Sequence, residues 1–316
     1  MIQASAPAKI ILLGEHAVVY GQPAIAIPIS GLRATADVIT ADTGMGLRIV
    51  APSLGMTLPI TNIPHPEESP LNAIARLVLD KLEVADQPDL MLTVNSDIPV
   101  ASGLGSGAAI SAVIARALSA ALNRILKVED LNSLVYEVEK IHHGTPSGVD
   151  NTVIVYERPL YFVRGHEADF LAVGQTFHFL IADTGIPALT RVAVGDVSKL
   201  YEADPARYDQ IFESIGKLVD NARLALESGK ALRLGSLMDE NHLYLRELTV
   251  SSPELDRLVQ AAKDAGALGA KLSGGGRGGN MIALVMEDRI AAIRKALLEA
   301  GAVRVFETTL ERSVPC

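Results

Sequence analysis

Cysteine is nearly absent: the 316 residues hold one, Cys316, at the last position. One thiol cannot close an intrachain disulfide, so the fold does not depend on an oxidising compartment. Basic residues are in the minority, 28 Lys and Arg against 37 Asp and Glu, for a formal net charge of −9. Nucleic acid and anionic membranes both reward a basic face, so neither is expected as a main partner. ATP is not excluded, because a few local groups can bind phosphate within an acidic chain. Long apolar runs are also lacking. The longest uncharged stretch, Ile98 to Ala115, is rich in glycine and small residues and stops at Arg116. It reads as a glycine loop entering a buried helix, not as a membrane span. The opening residues MIQASAPAKIILLGEH carry no basic region ahead of their short apolar run, so they are expected to form a first strand rather than a signal peptide. A cytoplasmic location is the default. There is no low-complexity linker and no internal repeat.

Hydrophobic residues make up 49% of the chain and charged residues 21%, enough for a large core and too apolar for disorder. The length suggests about two domains. Short alternating or apolar runs at Lys9–Leu13, Ala24–Ile29, Arg33–Thr40 and Leu90–Asn95 predict strands, separated by glycine and proline. Ser69-Pro70 predicts a capped helix start, with Leu71, Ile74, Leu77, Val78 and Leu82 on one face. Helices are expected over Ser106–Leu122 and Glu129–His142, then strands near Thr152–Tyr156 and Leu160–Val163. The second half reads as a strand at Phe177–Asp183 and long helices over Ala206–Ser228, Lys230–Leu248 and Pro253–Ala265. Strands follow at Gly269–Leu272 and Asn280–Met286, with a helix near Asp288–Ala300 and a strand near Val303–Thr309. The pattern is α+β twice over, with a boundary near Gly174, giving domains 1–173 and 174–316.

Four segments carry chemistry. In Asp97 to Ala109, Gly103, Gly105 and Gly107 let backbone approach a ligand closely, and the following helix points its N–H groups and positive dipole end into the loop. No lysine follows, so this is not the GxxxxGK[ST] phosphate loop. A tight strand-to-helix turn with small residues would look the same. In Lys271 to Gly279, five of the six positions from 274 to 279 are glycine, far more than a hairpin requires. Either the backbone clears something bulky, or the loop is simply flexible. Pro7 to His16 places Lys9 on a strand and Gly14-Glu15-His16 at its far end, though lone lysines and histidines are usually solvated or hydrogen-bonded residues. His143 to Asp150 is a rigid turn ending in an aspartate that could equally cap a helix.

Together and in this order, these segments resemble the kinases named for galactose, homoserine, mevalonate and phosphomevalonate. The resemblance runs from Lys9 to Gly279 and is most similar in detail to the mevalonate-specific members. It rests on Lys9 with Gly14-Glu15-His16-Ala17-Val18-Val19 and Gly21, on Gly144, Pro146-Ser147-Gly148-Val149-Asp150-Asn151, and on Asp183-Thr184-Gly185 with Thr190. It implies an N-terminal ribosomal-S5-like domain, a C-terminal ferredoxin-like domain, and transfer of the γ-phosphate of ATP to the 5-hydroxyl of mevalonate. It further implies Asp150 as catalytic base with Lys9 beside it. That pairing is chemically sensible, because an alcohol is a poor nucleophile until its proton has an acceptor, and a neighbouring ammonium favours the ionised carboxylate. ATP would contact Ser96, Gly103, Leu104, Gly105, Ser106, Gly107 and Ala108, and the substrate would contact Glu15, His16 and Thr190. Magnesium would be held by Glu139, eleven positions before Asp150, and by a loop serine. Here the chain departs from its relatives: the loop reads Gly-Leu-Gly-Ser-Gly, so the usual second serine is Gly107, leaving water or Ser106 to serve. Gly275 stands where alanine is common, and Arg277 where glycine is common, able to reach phosphate or to point to solvent. Members are often dimers, so a homodimer is also implied. The competing readings are another kinase of the same family, acting on phosphomevalonate, homoserine or a sugar, and a ligand sensor without catalysis. Retention of Lys9, Glu139 and Asp150 argues against a sensor.

Overall fold

The computed structural model describes residues 2–60, 69–100, 102–143, 146–188 and 190–314. Ala101, Gly144, Thr145 and Cys316 lie outside the described residues. The chain forms two compact units. The first comprises Met1–Lys9, Leu32–Val100 and Leu104–Glu157; the second comprises Ile10–Gly31, Ala101–Gly103 and Arg158–Cys316.

The chain begins with β1 (Ile2–Leu13), β2 (Ala24–Thr40), β3 (Arg48–Ala51), β4 (Met56–Pro59), α1 (Pro70–Lys81), β5 (Leu90–Ser96), α2 (Ser106–Ala121), α3 (Val128–His143) and α4 (Val149–Tyr156). Within the first unit β5 runs antiparallel to Ala34–Thr40 of β2, and β3 lies parallel to β5 and antiparallel to β4. The start of α1 is as expected: Ser69 Oγ accepts from the Asn72 N–H at 3.2 Å, and Pro70 occupies the first turn. Ile74 and Val78 are fully buried, each contributing about 1.5–3 kcal/mol of transfer free energy. The alanines of α2 are buried on several sides, which lets neighbouring elements approach its backbone.

One expectation fails here. Thr152–Tyr156 is not a strand but the body of α4. A β-branched run favours strand by propensity, but burial of Val149, Asn151, Thr152, Val153, Ile154 and Val155 decides otherwise. Gly148, at φ 90°, starts the helix, and Glu157, at φ 53°, closes it with its N–H on the Val153 carbonyl. The change matters for chemistry, because it places Asp150 in the first turn of a helix, where the dipole favours a carboxylate.

The second unit adds β6 (Leu160–Phe162), β7 (Asp169–Phe170), β8 (Phe177–Asp183), α5 (Thr190–Ala203), α6 (Pro205–Glu227), α7 (Ala231–Glu247), α8 (Pro253–Asp264), β9 (Gly269–Ser273), β10 (Asn280–Val285), α9 (Ile290–Glu299) and β11 (Arg304–Leu310). Ala24–Ala26 of β2 pairs with β6, and β6 with β7. The other four strands form an antiparallel sheet in the order β11-β8-β10-β9. With helices between β8 and β9 and α9 between β10 and β11, this is the ferredoxin-like arrangement. The α7 helix lies against β9 closely enough that a Cβ on Gly235 would sit 2.2 Å from the Leu268 carbonyl oxygen. Two α7 side chains accept from β9: Asp239 Oδ1 from the Ala270 N–H at 2.9 Å, and His242 Nδ1 from the Leu272 N–H at 3.3 Å. No helix among the described residues is long and apolar enough to cross a membrane.

Candidate active site

In the first unit β1 delivers Lys9, and the first turn of α4 delivers Asp150. Lys9 Nζ lies 2.9 Å from Asp150 Oδ1, with the lysine side chain 7% exposed and the aspartate 33%. The backbone N–H of Lys9 donates to the Leu104 carbonyl at 3.0 Å, tying the strand to the glycine loop. Gly105 is the N-cap of α2 at φ 77°, and no side chain caps the helix. A Cβ on Gly105 would lie 2.7 Å from Ile154 Cδ1 and 3.1 Å from Lys9 Cγ. The loop thus has both reasons for glycine, a left-handed backbone and no room. No acidic residue stands in the first turn of α2. The leading N–H groups of Ser106, Gly107 and Ala108 therefore have no N-cap side chain and no acidic residue of their own first turn beside them. Ser96 ends β5, and its Oγ accepts from the Ile98 N–H at 3.2 Å.

Glu139, on α3, is 5% exposed. A Cβ on Gly107 would stand 3.3 Å from Glu139 Oε1, so the carboxylate faces the position where the resemblance led to the expectation of a serine. Burial first, and then the charge of Asp150, push the Glu139 carboxyl up to about 7, against the pull of Lys9. Among the described residues no group of three or more His, Cys, Asp or Glu gathers to hold a metal ion. Magnesium needs no such cage, since it keeps several waters and takes one or two carboxylates plus substrate phosphates. A buried carboxylate beside an uncapped helix N-terminus fits that requirement.

In the second unit Glu15 and His16 follow β1, and both are buried. Lys271, fully buried on β9, donates from Nζ to Glu15 Oε1 and, at 2.6 Å, to the Leu272 carbonyl. Burial pulls the lysine pKa down, against the Glu15 charge. Glu15 Oε2 is buried without a hydrogen-bond partner. His16 sits at φ 61° and donates from Nε2 to the Gly275 carbonyl at 3.2 Å. Burial lowers its pKa to about 4, so near neutral pH the ring is uncharged and Nδ1 is an acceptor. A Cβ on Gly275 would fall 2.6 Å from Thr190 Oγ1. Glycine there lets the start of α5 approach the turn. Arg277, its side chain one third exposed, is held by two protein contacts: Nη1 pairs with Asp196 Oδ2 on α5 at 2.5 Å, and Nε donates to the Thr249 carbonyl at 3.2 Å. Asp183 and Thr184 are turn-builders. Asp183 accepts from the Gly185 N–H at 2.8 Å and pairs with Arg304 at 2.9 Å, while Thr184 Oγ1 donates to the Gly279 carbonyl at 2.9 Å.

The sequence reading missed Lys271 as a partner of Glu15, although it stands two residues before the glycine-rich turn. Its isolation in an apolar strand was the available signal. A lysine and an aspartate paired against an uncapped, glycine-started helix are groups that phosphoryl-transfer chemistry can use. The model of the GHMP kinases N terminal domain matches residues 70–158, and that of the GHMP kinases C terminal domain matches 222–303. A mevalonate kinase of Pyrococcus abyssi is 37% identical over 300 residues, covering 90% of this chain and 88% of its own. The crystal structure of L. major mevalonate kinase in complex with R-mevalonate has a TM-score of 0.85 at 31% identity, covering 100% of this chain and 97% of its own. The Methanococcus jannaschii mevalonate kinase structure gives 0.86 at 28% identity, covering 99% and 98%. The chain belongs to the GHMP kinase family, with its two-domain α+β fold.

Proposed function

We propose that this protein is an ATP-dependent kinase that phosphorylates the 5-hydroxyl of mevalonate, giving 5-phosphomevalonate in an early step of isoprenoid synthesis. The observation that carries the reading is the Lys9–Asp150 pair at 2.9 Å, tied to the glycine loop through Leu104. The mevalonate kinases among its relatives support the choice of substrate.

In this reading the triphosphate is received by the loop and first turn of α2, Gly103 through Ala108, with Ser96 contacting the nucleotide. Asp150 accepts the proton of the substrate hydroxyl as its oxygen bonds to the γ-phosphorus. The bond to the β-phosphate oxygen breaks, and ADP leaves. A positioned base contributes about 10²–10⁴-fold. Lys9 holds the carboxylate in register and offsets charge on the transferring group. Glu15, His16 and Thr190 contact mevalonate, with His16 offering a neutral ring. Glu139 and Ser106 would hold Mg²⁺, which when bound neutralises charge on the phosphate oxygens.

The same proposal keeps an N-terminal domain 1–173 and a C-terminal domain 174–316, a division supported by family models that fall on either side of it. A cytoplasmic location and a homodimer belong to it as well; sedimentation of the purified chain tests the dimer. The function itself is tested by coupled ADP release with mevalonate, phosphomevalonate, homoserine and galactose. Turnover confined to mevalonate is expected. Preference for any other member of that panel would overturn the assignment.

A further inference from the structure

The second unit holds a cavity of about 710 Å³ that none of the expected site residues lines. The volume lies within the range of small-molecule sites. Three arginines from separate stretches meet there: Arg158 just after α4, Arg223 on α6, and Arg312 beyond β11. Two carboxylates, Asp169 and Glu227, also line it. Both are committed to Arg223, at 2.6 Å and 3.2 Å. Among the described residues, Arg158 and Arg312 have no carboxylate partner.

The cationic wall is held in place. The Arg158 guanidinium stacks 4.9 Å from the centre of the Phe170 ring, which fixes its plane and leaves its N–H edges for a ligand. Arg223 lies 4.9 Å over the Tyr161 ring, in addition to its two ion pairs. The backbone beside Arg312 is pinned where Ser313 and Val173 exchange hydrogen bonds at 2.9 Å and 3.3 Å. Helix α6 ends at this cavity, and a helix C-terminus disfavours anions. Its last carbonyls are occupied, however: Leu226 accepts from Gly174 and Gly229, Ala225 from Lys230, and Leu224 from Ser228. What faces the cavity is therefore three guanidiniums against two carboxylates, a local excess of one positive charge in a chain whose net charge is −9, with the forks of Arg158 and Arg312 outside the ion pairs.

We infer that this cavity binds a small phosphate-bearing anion through Arg158 and Arg312. Guanidinium forks match phosphate oxygens bidentately, and two forks suit a group with more than two acceptor oxygens. The inference does not depend on the reaction proposed above.

Pyrophosphate serves as the probe, titrated calorimetrically into the full chain with and without saturating ADP. The expected result is one equivalent bound when ADP is present, because ADP occupies the glycine loop and leaves this cavity open, and a further equivalent at that loop when ADP is absent. Arg158→Gln/Arg312→Gln should weaken that binding at least tenfold while turnover stays within twofold of wild type. The single variant Arg312→Gln, at an exposed position, should weaken it severalfold and guards against misfolding of the double variant. Loss of all pyrophosphate binding when ADP is present would overturn the inference, as would equal affinity in wild type and both variants. Citrate binding as tightly as pyrophosphate would replace phosphate with carboxylate as the recognised group and overturn the ligand class.

Discussion

Gly103 and Gly105 share a backbone conformation, φ 76° and 77°, but not an environment. A Cβ on Gly103 would meet nothing within 4 Å. One on Gly105 would fall 2.7 Å from Ile154 Cδ1 and 3.1 Å from Lys9 Cγ. Gly103→Ala therefore carries the left-handed backbone term alone, about 1–2 kcal/mol. Gly105→Ala carries the same term plus overpacking against Ile154, which is fully buried, for another 1–3 kcal/mol or so. The neighbour that must give way on the other side is the stem of Lys9, and a misplacement of about 1 Å at a reacting centre costs around 10²-fold in rate. Urea unfolding and steady-state kinetics measure the two effects separately. Gly105→Ala should lose roughly 2–5 kcal/mol and about 10²-fold in kcat. Gly103→Ala should lose about 1–2 kcal/mol, with kcat within a few-fold and the larger change in KM for ATP. If the two substitutions behaved alike in both measurements, the close approach at Gly105 would not be what positions Lys9.

Three further outcomes are expected. Asp150→Asn should lower kcat by about 10² or more while ATP affinity stays within a few-fold; wild-type turnover in the folded variant would remove Asp150 from the chemistry. Gly107→Ser should be tolerated, since only Glu139 Oε1, at 3.3 Å, faces the new side chain, and should lower the magnesium concentration for half-maximal rate or leave it unchanged. A rise in that requirement would contradict the account of Glu139. His242, pulled down to about 4 by burial, stays neutral in the fold while the unfolded chain takes up a proton near pH 6.5. Protonation thus favours the unfolded state, so its contribution is whole above pH 6.5 and is lost as pH falls toward 4, by up to about 3 kcal/mol. His16 behaves in the same way. Urea titrations across that range should show a shallower slope in His242→Gln, by about one proton.

Much of this architecture could be read from pattern. The capped start at Ser69-Pro70 falls where the structure puts it, because the cap is a local interaction that needs no knowledge of the rest. Helix α4 could not be read, because its β-branched run is overruled by burial from several sides. Helix α5 was missed for a related reason: only Ala193 and Val197 are buried, too narrow a stripe to show a period. The sequence pattern puts a break between Ala24–Ile29 and Arg33–Thr40, yet β2 runs straight through Gly31. A Cβ there would lie 2.5 Å from the Glu307 carbonyl oxygen, so the glycine serves a close approach and not a turn. In the candidate site, Lys9, Glu139 and Asp150 were legible through resemblance. The links from Lys271 to Glu15 and from Arg277 to Asp196 join residues 256 and 81 positions apart, a separation that no local pattern encodes.

The two hydrogen bonds from β9 to α7 have a consequence for how copies of this chain behave toward one another. β9 is the last strand of its sheet, and an outer strand with free N–H groups is a template for strand addition by another molecule. Asp239 and His242 occupy two of those groups with side-chain acceptors, so the sheet is finished by a helix instead of another strand. Lys263 steadies the first acceptor, 2.7 Å from Asp239 Oδ2. The second depends on an unprotonated nitrogen. In acid near pH 4 His242 gains a proton at Nδ1 and can no longer accept from Leu272. The Leu272 N–H then loses its acceptor while Asp239 still holds that of Ala270, so acid loosens this edge at one point and not along its length.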